Sequence, residues 1–354
     1  MKAYVLHDIN DLRFEDVQKP VPSPGEVLLK VSAAGICGSD IPRIYDTGAH
    51  VHPLIPGHEF SGIVEELGNG ADESLSGKRV GVFPLIPCME CDPCRHGKYE
   101  MCRHYSYIGS RRDGAFAEYV AVPSRNVIVI PDEISMETAA MLEPMAVAVH
   151  AMRRGFKTCE IINGYAVVFG MGTIGLMLTA FLLDAGVDPD KLLAIGNKSF
   201  QREMALEIGV KADNFYDIRE GDTDGWINEK TDGRGVELTF ECVGKNVTVV
   251  QAVDHASPSG RIVFVGNPHS DMDFSRDVYW KILRNQLKIT GTWNSSFTGE
   301  KSDDWHYVLD RLKKGTIKPE KFITHRFSLN ELHKGFKLMR DKSEPYVKVM
   351  GIML

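Results

Sequence analysis

The chain has 354 residues, 43% of them hydrophobic and 25% charged, with a formal net charge of −7 at pH 7. That balance excludes a nucleic-acid binder and a disordered tail, and the length exceeds what one hydrophobic core usually serves, so two domains are expected. The opening MKAYVLHDINDLRFED lacks the basic-then-apolar build of a secretory signal, and no apolar run reaches membrane-spanning length, which points to a cytoplasmic protein without a membrane or nucleic-acid partner.

From residue 1 to about 150 the chain reads as short β runs between Gly and Pro, such as EVLLKVSAAGI and AEYVAVPSRNVIVIP. Within this half Cys37 in GICGSD, His58-Glu59 in PGHEFSG and Glu143 in MLEP are individually weak signals. Together, thiolate, imidazole and carboxylate can hold Zn²⁺ while leaving a position for a substrate oxygen, and Asp40 can orient His58 from behind. Cys88-x2-Cys91-x2-Cys94-x7-Cys102 is the most specific local pattern: short-spaced thiolates close on one tetrahedral zinc with no open position, which makes a structural site spanning 88–102. An iron–sulfur cluster is the competing use of four thiolates, but nothing else in the chain speaks of electron transfer. Four of seven cysteines crowding into fifteen residues argues for metal rather than disulfides, and the outlying Cys159 and Cys242 read as small buried hydrophobes.

From about residue 152 the pattern changes to apolar strands separated by helical stretches: AVVF (166–169), LLAI (192–195), VELTFE (236–241), RIVFV (261–265) and LKITG (287–291), with ADNFY (212–216) as a sixth candidate. Alternating strand and helix predicts a doubly wound parallel sheet, so the whole is of α/β class. After AVVF comes Gly170-Met171-Gly172-Thr173-Ile174-Gly175 and then an apolar helix. The first glycine makes the tight turn, the second lets backbone approach a pyrophosphate, the third permits close helix–strand packing, and the helix N-terminus offers its N–H groups to the phosphates. About twenty residues on, where a carboxylate would take the ribose 2′-hydroxyl, stands Gly196, followed by Asn197 and Lys198; this favours NADP(H) over NAD(H). The last sixty residues hold helical pieces around Asp303–Lys314 and Leu329–Arg340 and a closing strand VKVMGIM.

GICGSD, GHEFSG, the four-cysteine lobe, DGAFAEY (113–119), MLEP and GMGTIG, in this order, resemble the zinc-containing medium-chain dehydrogenases over essentially the whole chain. Glu143 in place of a cysteine resembles the polyol branch, and DIPRIYDTGAHVHPLIPGHEFSG with YIGSRRDGAFAEY resembles its polyol-phosphate members. The resemblance implies a GroES-like catalytic domain, residues 1–151 plus 294–354, with a Rossmann cofactor domain, residues 152–293, inserted between. It implies two zinc ions per chain and oxidation of a secondary alcohol by hydride transfer to NAD(P)⁺. Cys37, His58 and Glu59 or Glu143 carry over as catalytic zinc positions, direct or through water. Ser39 carries over as the hydroxyl that passes the substrate proton outward, although Pro42 replaces the relay histidine of many relatives. A phosphorylated substrate needs cations, and Arg43, Arg111 and Arg112 are the candidates beside these motifs. A homodimer or homotetramer is implied too, with LKITGTW as an edge strand that pairs across subunits. A free-polyol dehydrogenase, a zinc-free reductase and a non-catalytic nucleotide-binding protein of the same fold remain alternatives.

Overall fold

The computed structural model describes residues 1–157, 160–268 and 270–353, and divides into two compact units. One joins Met1–Ala146 to Ser295–Leu354 and the other is Val147–Asn294. The boundary falls inside the helix Leu142–Gly155, so the change of pattern near residue 152 marks the end of that helix rather than the edge of a domain.

The first unit is built on a seven-stranded sheet whose central strand is Glu26–Ile36. Its eleven residues are nearly all buried, because Glu59–Leu67, Tyr119–Pro123 and the closing strand Lys348–Ile352 all pair with it antiparallel. Arg79–Val82 and Val127–Val129 extend the sheet on one side and Ile323–Ser328 on the other. Both ends of the chain thus share one core, in which Tyr4, Val31, Phe60, Phe116, Phe336 and Val349 are buried together. Phe116 and Phe336 meet edge-on at 5.1 Å, tying the N-terminal half to the helix Leu332–Asp341.

Among the described residues the second unit holds six strands, all parallel, in the spatial order Phe215–Asp217, Leu192–Gly196, Tyr165–Phe169, Val236–Glu241, Ala256–Phe264, Lys288–Gly291. This is the doubly wound order, with the direction of winding reversing at Tyr165–Phe169. Leu192–Gly196 is buried at every residue, which is why it reads as a continuous apolar run instead of an alternation. The sixth strand starts later than ADNFY suggested: Ala212–Asn214 form a 3₁₀ turn, held by Asn214 Nδ2 donating to the carbonyls of Pro189 and Asp190, and only Phe215–Asp217 pair. LKITG forms the strand Lys288–Gly291, at the sheet's edge and largely exposed. Cys242 is half-buried rather than fully packed away, and the protein around it pushes its thiol well up; Cys159 lies outside the described residues. Among the described residues no helix is long and apolar enough to cross a membrane.

Candidate active site and metal centres

Cys37 follows the last residue of the central strand, and Glu59 opens the neighbouring strand with Gly35 directly across from it. A Cβ at Gly35 would come 2.4 Å from Glu59 Oε2, so only glycine leaves room for that carboxylate. His58 is placed by a crossing of three glycines. Gly57 adopts φ +102°, and a Cβ at Gly109 or Gly114 would press to 2.5 or 2.2 Å from the Gly57 carbonyl oxygen. The segment is stitched down by Gly114 N–H to Ile55 O at 2.7 Å, Ala115 N–H to Gly57 O at 3.0 Å and Phe116 N–H to Pro56 O at 3.0 Å.

The result is a set of two buried residues and one half-buried cysteine: one ligand atom each from Cys37, His58 and Glu59 lie within 4.8 Å of one another. Asp40, fully buried, accepts from the Cys37 backbone N–H at 3.0 Å and from Arg43, and its Oδ1 stands 3.5 Å from His58 Nδ1. Burial resists the carboxylate of Asp40, but His58, Arg43 and the Cys37 N–H outweigh it and hold the pKa below its ordinary value. Burial likewise resists an imidazolium at His58, yet Asp40 and Cys37 raise its pKa well above normal. His58 Nδ1 is buried without a hydrogen bond. A thiolate, an imidazole and a carboxylate converging out of water, with negative charge around them, is a donor set that fits zinc.

Glu143, the second residue of its helix, stands beside this set rather than in it. Tyr107 Oη donates to Glu143 Oε1 at 3.4 Å, and the Tyr107 ring meets His58 edge-on at 5.7 Å. Burial pushes the Glu143 carboxyl up to about 7, with the charge of Glu59 adding to the shift. Of the two glutamates, geometry places Glu59 with Cys37 and His58. Sequence reading missed Lys348, whose buried ammonium donates to Glu59 Oε2 at 2.5 Å and to the Ile36 carbonyl at 3.3 Å. The available signal was a lone lysine inside the apolar closing strand VKVMGIM. Tyr107 was missed as well, and nothing in its local pattern marks it.

The second metal centre holds all four predicted cysteines, with Cys88, Cys91, Cys94 and Cys102 presenting sulfurs within 4.8 Å of one another. Cys91 Sγ is 3.5 Å from Cys94 Sγ and 3.9 Å from Cys102 Sγ, bracketing the roughly 3.8 Å edge of a tetrahedron with Zn–S bonds of about 2.3 Å. Burial raises the pKa of the Cys102 thiol, and the backbone N–H groups of Cys88 and His104, which donate to its Sγ, offset part of that rise.

In the second unit Gly170 turns at φ +91° at the end of Tyr165–Phe169, and Gly172 caps the helix Thr173–Asp184. A Cβ at Gly172 would meet nothing within 4 Å, whereas one at Gly175 would fall 1.8 Å from the Gly170 oxygen. The three glycines thus have different duties: turn, open approach for a ligand and close packing. Thr173 and Ile174 form the first helical turn. At Gly196 a Cβ would sit 2.8 Å from Phe215 Cζ and 3.0 Å from Gln201 Oε1, so packing excludes a side chain there. Lys198 opens the next helix.

Arg43 and Arg111 both act on His50, whose pKa is lowered by partial burial and then by those two charges. Arg111 lies over the Tyr105 ring at 4.7 Å. Arg112 donates to Glu26 at 2.8 Å and to the Ala121 carbonyl at 3.1 Å. Ser39 is half-buried before the short helix Asp40–Tyr45, and its hydroxyl caps nothing.

Comparison with known proteins places these sites in context. The alcohol dehydrogenase GroES-like domain family matches residues 23–132 and the zinc-binding dehydrogenase family matches 173–314. Galactitol 1-phosphate 5-dehydrogenase of Escherichia coli is 33% identical over 314 residues, 89% of each chain, and the crystal structure of that organism's galactitol-1-phosphate dehydrogenase superposes with a TM-score of 0.90 at 31% identity, covering both chains fully. Sorbitol dehydrogenase of Bacillus subtilis is 29% identical over 99% of this chain and 96% of its own. A zinc-binding dehydrogenase of Sinorhizobium meliloti, solved bound to NADP, gives a TM-score of 0.88 at 28% identity over 99% of both chains. The chain belongs to the zinc-dependent medium-chain dehydrogenase family and is an oxidoreductase acting on CH–OH groups.

Proposed function

We propose that this enzyme oxidises a secondary alcohol of a polyol phosphate, of the galactitol 1-phosphate kind, to the ketone with NAD(P)⁺. The observation that carries the phosphate is the pair Arg43 and Arg111, whose charges both reach His50, with Arg43 bound to Asp40 next to the Cys37 turn: local positive charge in a chain that is acidic overall. A phosphate dianion docked there finds guanidinium donors of matching geometry. Bound zinc supplies Lewis acidity toward the hydroxyl oxygen, and the bound nicotinamide accepts the two electrons. Cys37, His58 and Glu59 would hold the metal, and Lys348 balances the charge of Glu59. Ser39 Oγ accepts the proton of the substrate hydroxyl as it releases its own toward solvent, so that it relays one proton and stays neutral, and Glu143 orients the polar substrate or a water beside the metal ligands. The glycine at 196 with Lys198 after it supports a preference for NADP(H), as does the likeness to an NADP-bound relative.

The test is a panel of free and phosphorylated hexitols against NAD⁺ and NADP⁺, with Arg43→Ala, Arg111→Ala and Arg112→Ala. Loss of a desolvated charged contact lowers kcat/KM on the phosphorylated substrate by about 2–5 kcal/mol in the first two variants, and the free hexitol loses less. Arg112→Ala leaves the discrimination between substrates intact. Equal losses on both substrates, or a parent enzyme that prefers the free hexitol, returns the assignment to a free-polyol dehydrogenase. A strong preference for NAD⁺ overturns the NADP(H) reading alone.

A further inference from the structure

We propose that Arg43 couples the substrate's phosphate to the metal centre, by competing with His58 for one oxygen of Asp40; this rests on the phosphate reading above. Asp40 has three claimants. Its Oδ2 accepts from the Cys37 N–H at 3.0 Å, its Oδ1 accepts from Arg43 Nη1, and the same Oδ1 is the acceptor 3.5 Å from His58 Nδ1. That third pair falls short of a hydrogen bond, which leaves His58 Nδ1 as a buried nitrogen without a partner. Asp40 is fully buried while the Arg43 side chain keeps 16% of its surface in solvent. The guanidinium therefore sits on a buried carboxylate behind the metal ligands while part of it stays open to solvent, and its charge, like that of Arg111, reaches His50.

An orphaned imidazole nitrogen next to a shared carboxylate describes a centre with an unused contact. The carboxylate behind a ligating histidine fixes its tautomer and raises its basicity, and losing such a partner commonly costs 10–100-fold in metal affinity. Here Arg43 draws Oδ1 away. An anion docked on the outer edge of Arg43 offsets the guanidinium's charge and weakens that pull, so Oδ1 closes on His58 Nδ1–H and the imidazole becomes the stronger donor. Phosphate at Arg43 thus tightens the hold on zinc, and reciprocally the zinc-loaded centre binds phosphate better than the zinc-free one.

The experiment measures zinc release from the holoenzyme to a chromophoric chelator, following the kinetic phase that is missing in Cys37→Ser, with and without inorganic phosphate; calorimetry reports phosphate binding separately. The parent releases this zinc about tenfold more slowly in saturating phosphate. Arg43→Met releases it slowly even without phosphate, because Oδ1 is already free for His58, and phosphate no longer changes the rate. Arg43→Lys, which restores a cation beside Asp40, returns the fast release. If phosphate binds to the parent but neither phosphate nor Arg43→Met alters release, the coupling is wrong and the phosphate site stands. If Arg43→Met slows release while no phosphate binds, the competition for Asp40 stands and the phosphate reading falls, taking the substrate coupling with it.

Discussion

Glu143 and Lys348 are ionisable side chains removed from water, and each makes a separate prediction. An acid whose folded pKa lies near 7 instead of 4.5 contributes stability that is complete below pH 4.5 and disappears as the pH climbs through 7, since over that interval the native state keeps a proton that the unfolded chain gives up. In metal-free protein, Glu143→Gln is therefore expected to melt above the parent at pH 8 and to converge with it toward pH 4.5, the gap reaching about 3 kcal/mol. Thermal melts across that range check the sign; a gap that widens toward acid pH contradicts it. Lys348→Met leaves Glu59 charged, buried and unpaired, which costs about 3–5 kcal/mol of stability in the metal-free protein and less once zinc is bound. Denaturant titration of both forms reads the difference. Cys37, His58 and Glu59 were legible in the sequence because each sits in a short local motif. Lys348 was not, because its meaning depends on a strand register that joins Val349 to Ile36.

Motifs contained within one element or one loop were legible for the same reason. The tight Gly170 turn, the capped helix and the four-cysteine lobe are all specified by residues a few positions apart, so spacing alone carries the geometry. The glycine crossing that sets His58 joins residue 57 to residues 109 and 114, and spacing along the chain says nothing about it. The two metal elements differ in what their loss does. Cys94→Ser is expected to lower the melting temperature sharply, because the lobe's ligands come together only in the fold and metal binding is folding energy there. Cys37→Ser abolishes turnover with little change in melting, since its loop is held by the sheet and by Asp40. Metal content, melting temperature and activity of the two variants separate the roles; activity falling in proportion to unfolding in both cases would mean that the division is wrong.

At the level of the whole molecule, the second unit ends its sheet on the exposed strand Lys288–Gly291, with Ile289 at 37% exposure, and Tyr279, Trp280 and Leu283 are exposed on the helix Arg276–Arg284. An uncovered edge beside such apolar surface favours pairing with a second copy. Ile289→Asp, which places a charge on that edge, is expected to shift the protein toward monomer in sedimentation analysis; an unchanged mass would exclude this edge as the subunit contact. The closing strand has a different consequence, one of timing. Lys348 is synthesised 289 residues after Glu59, with the second unit emerging in between. On the ribosome, Cys37, His58 and Glu59 therefore exist for most of synthesis without the ammonium that balances them, while the intervening unit is free to fold by itself. A nascent chain stalled before Lys348 carries a finished cofactor unit and an electrostatically incomplete metal cage.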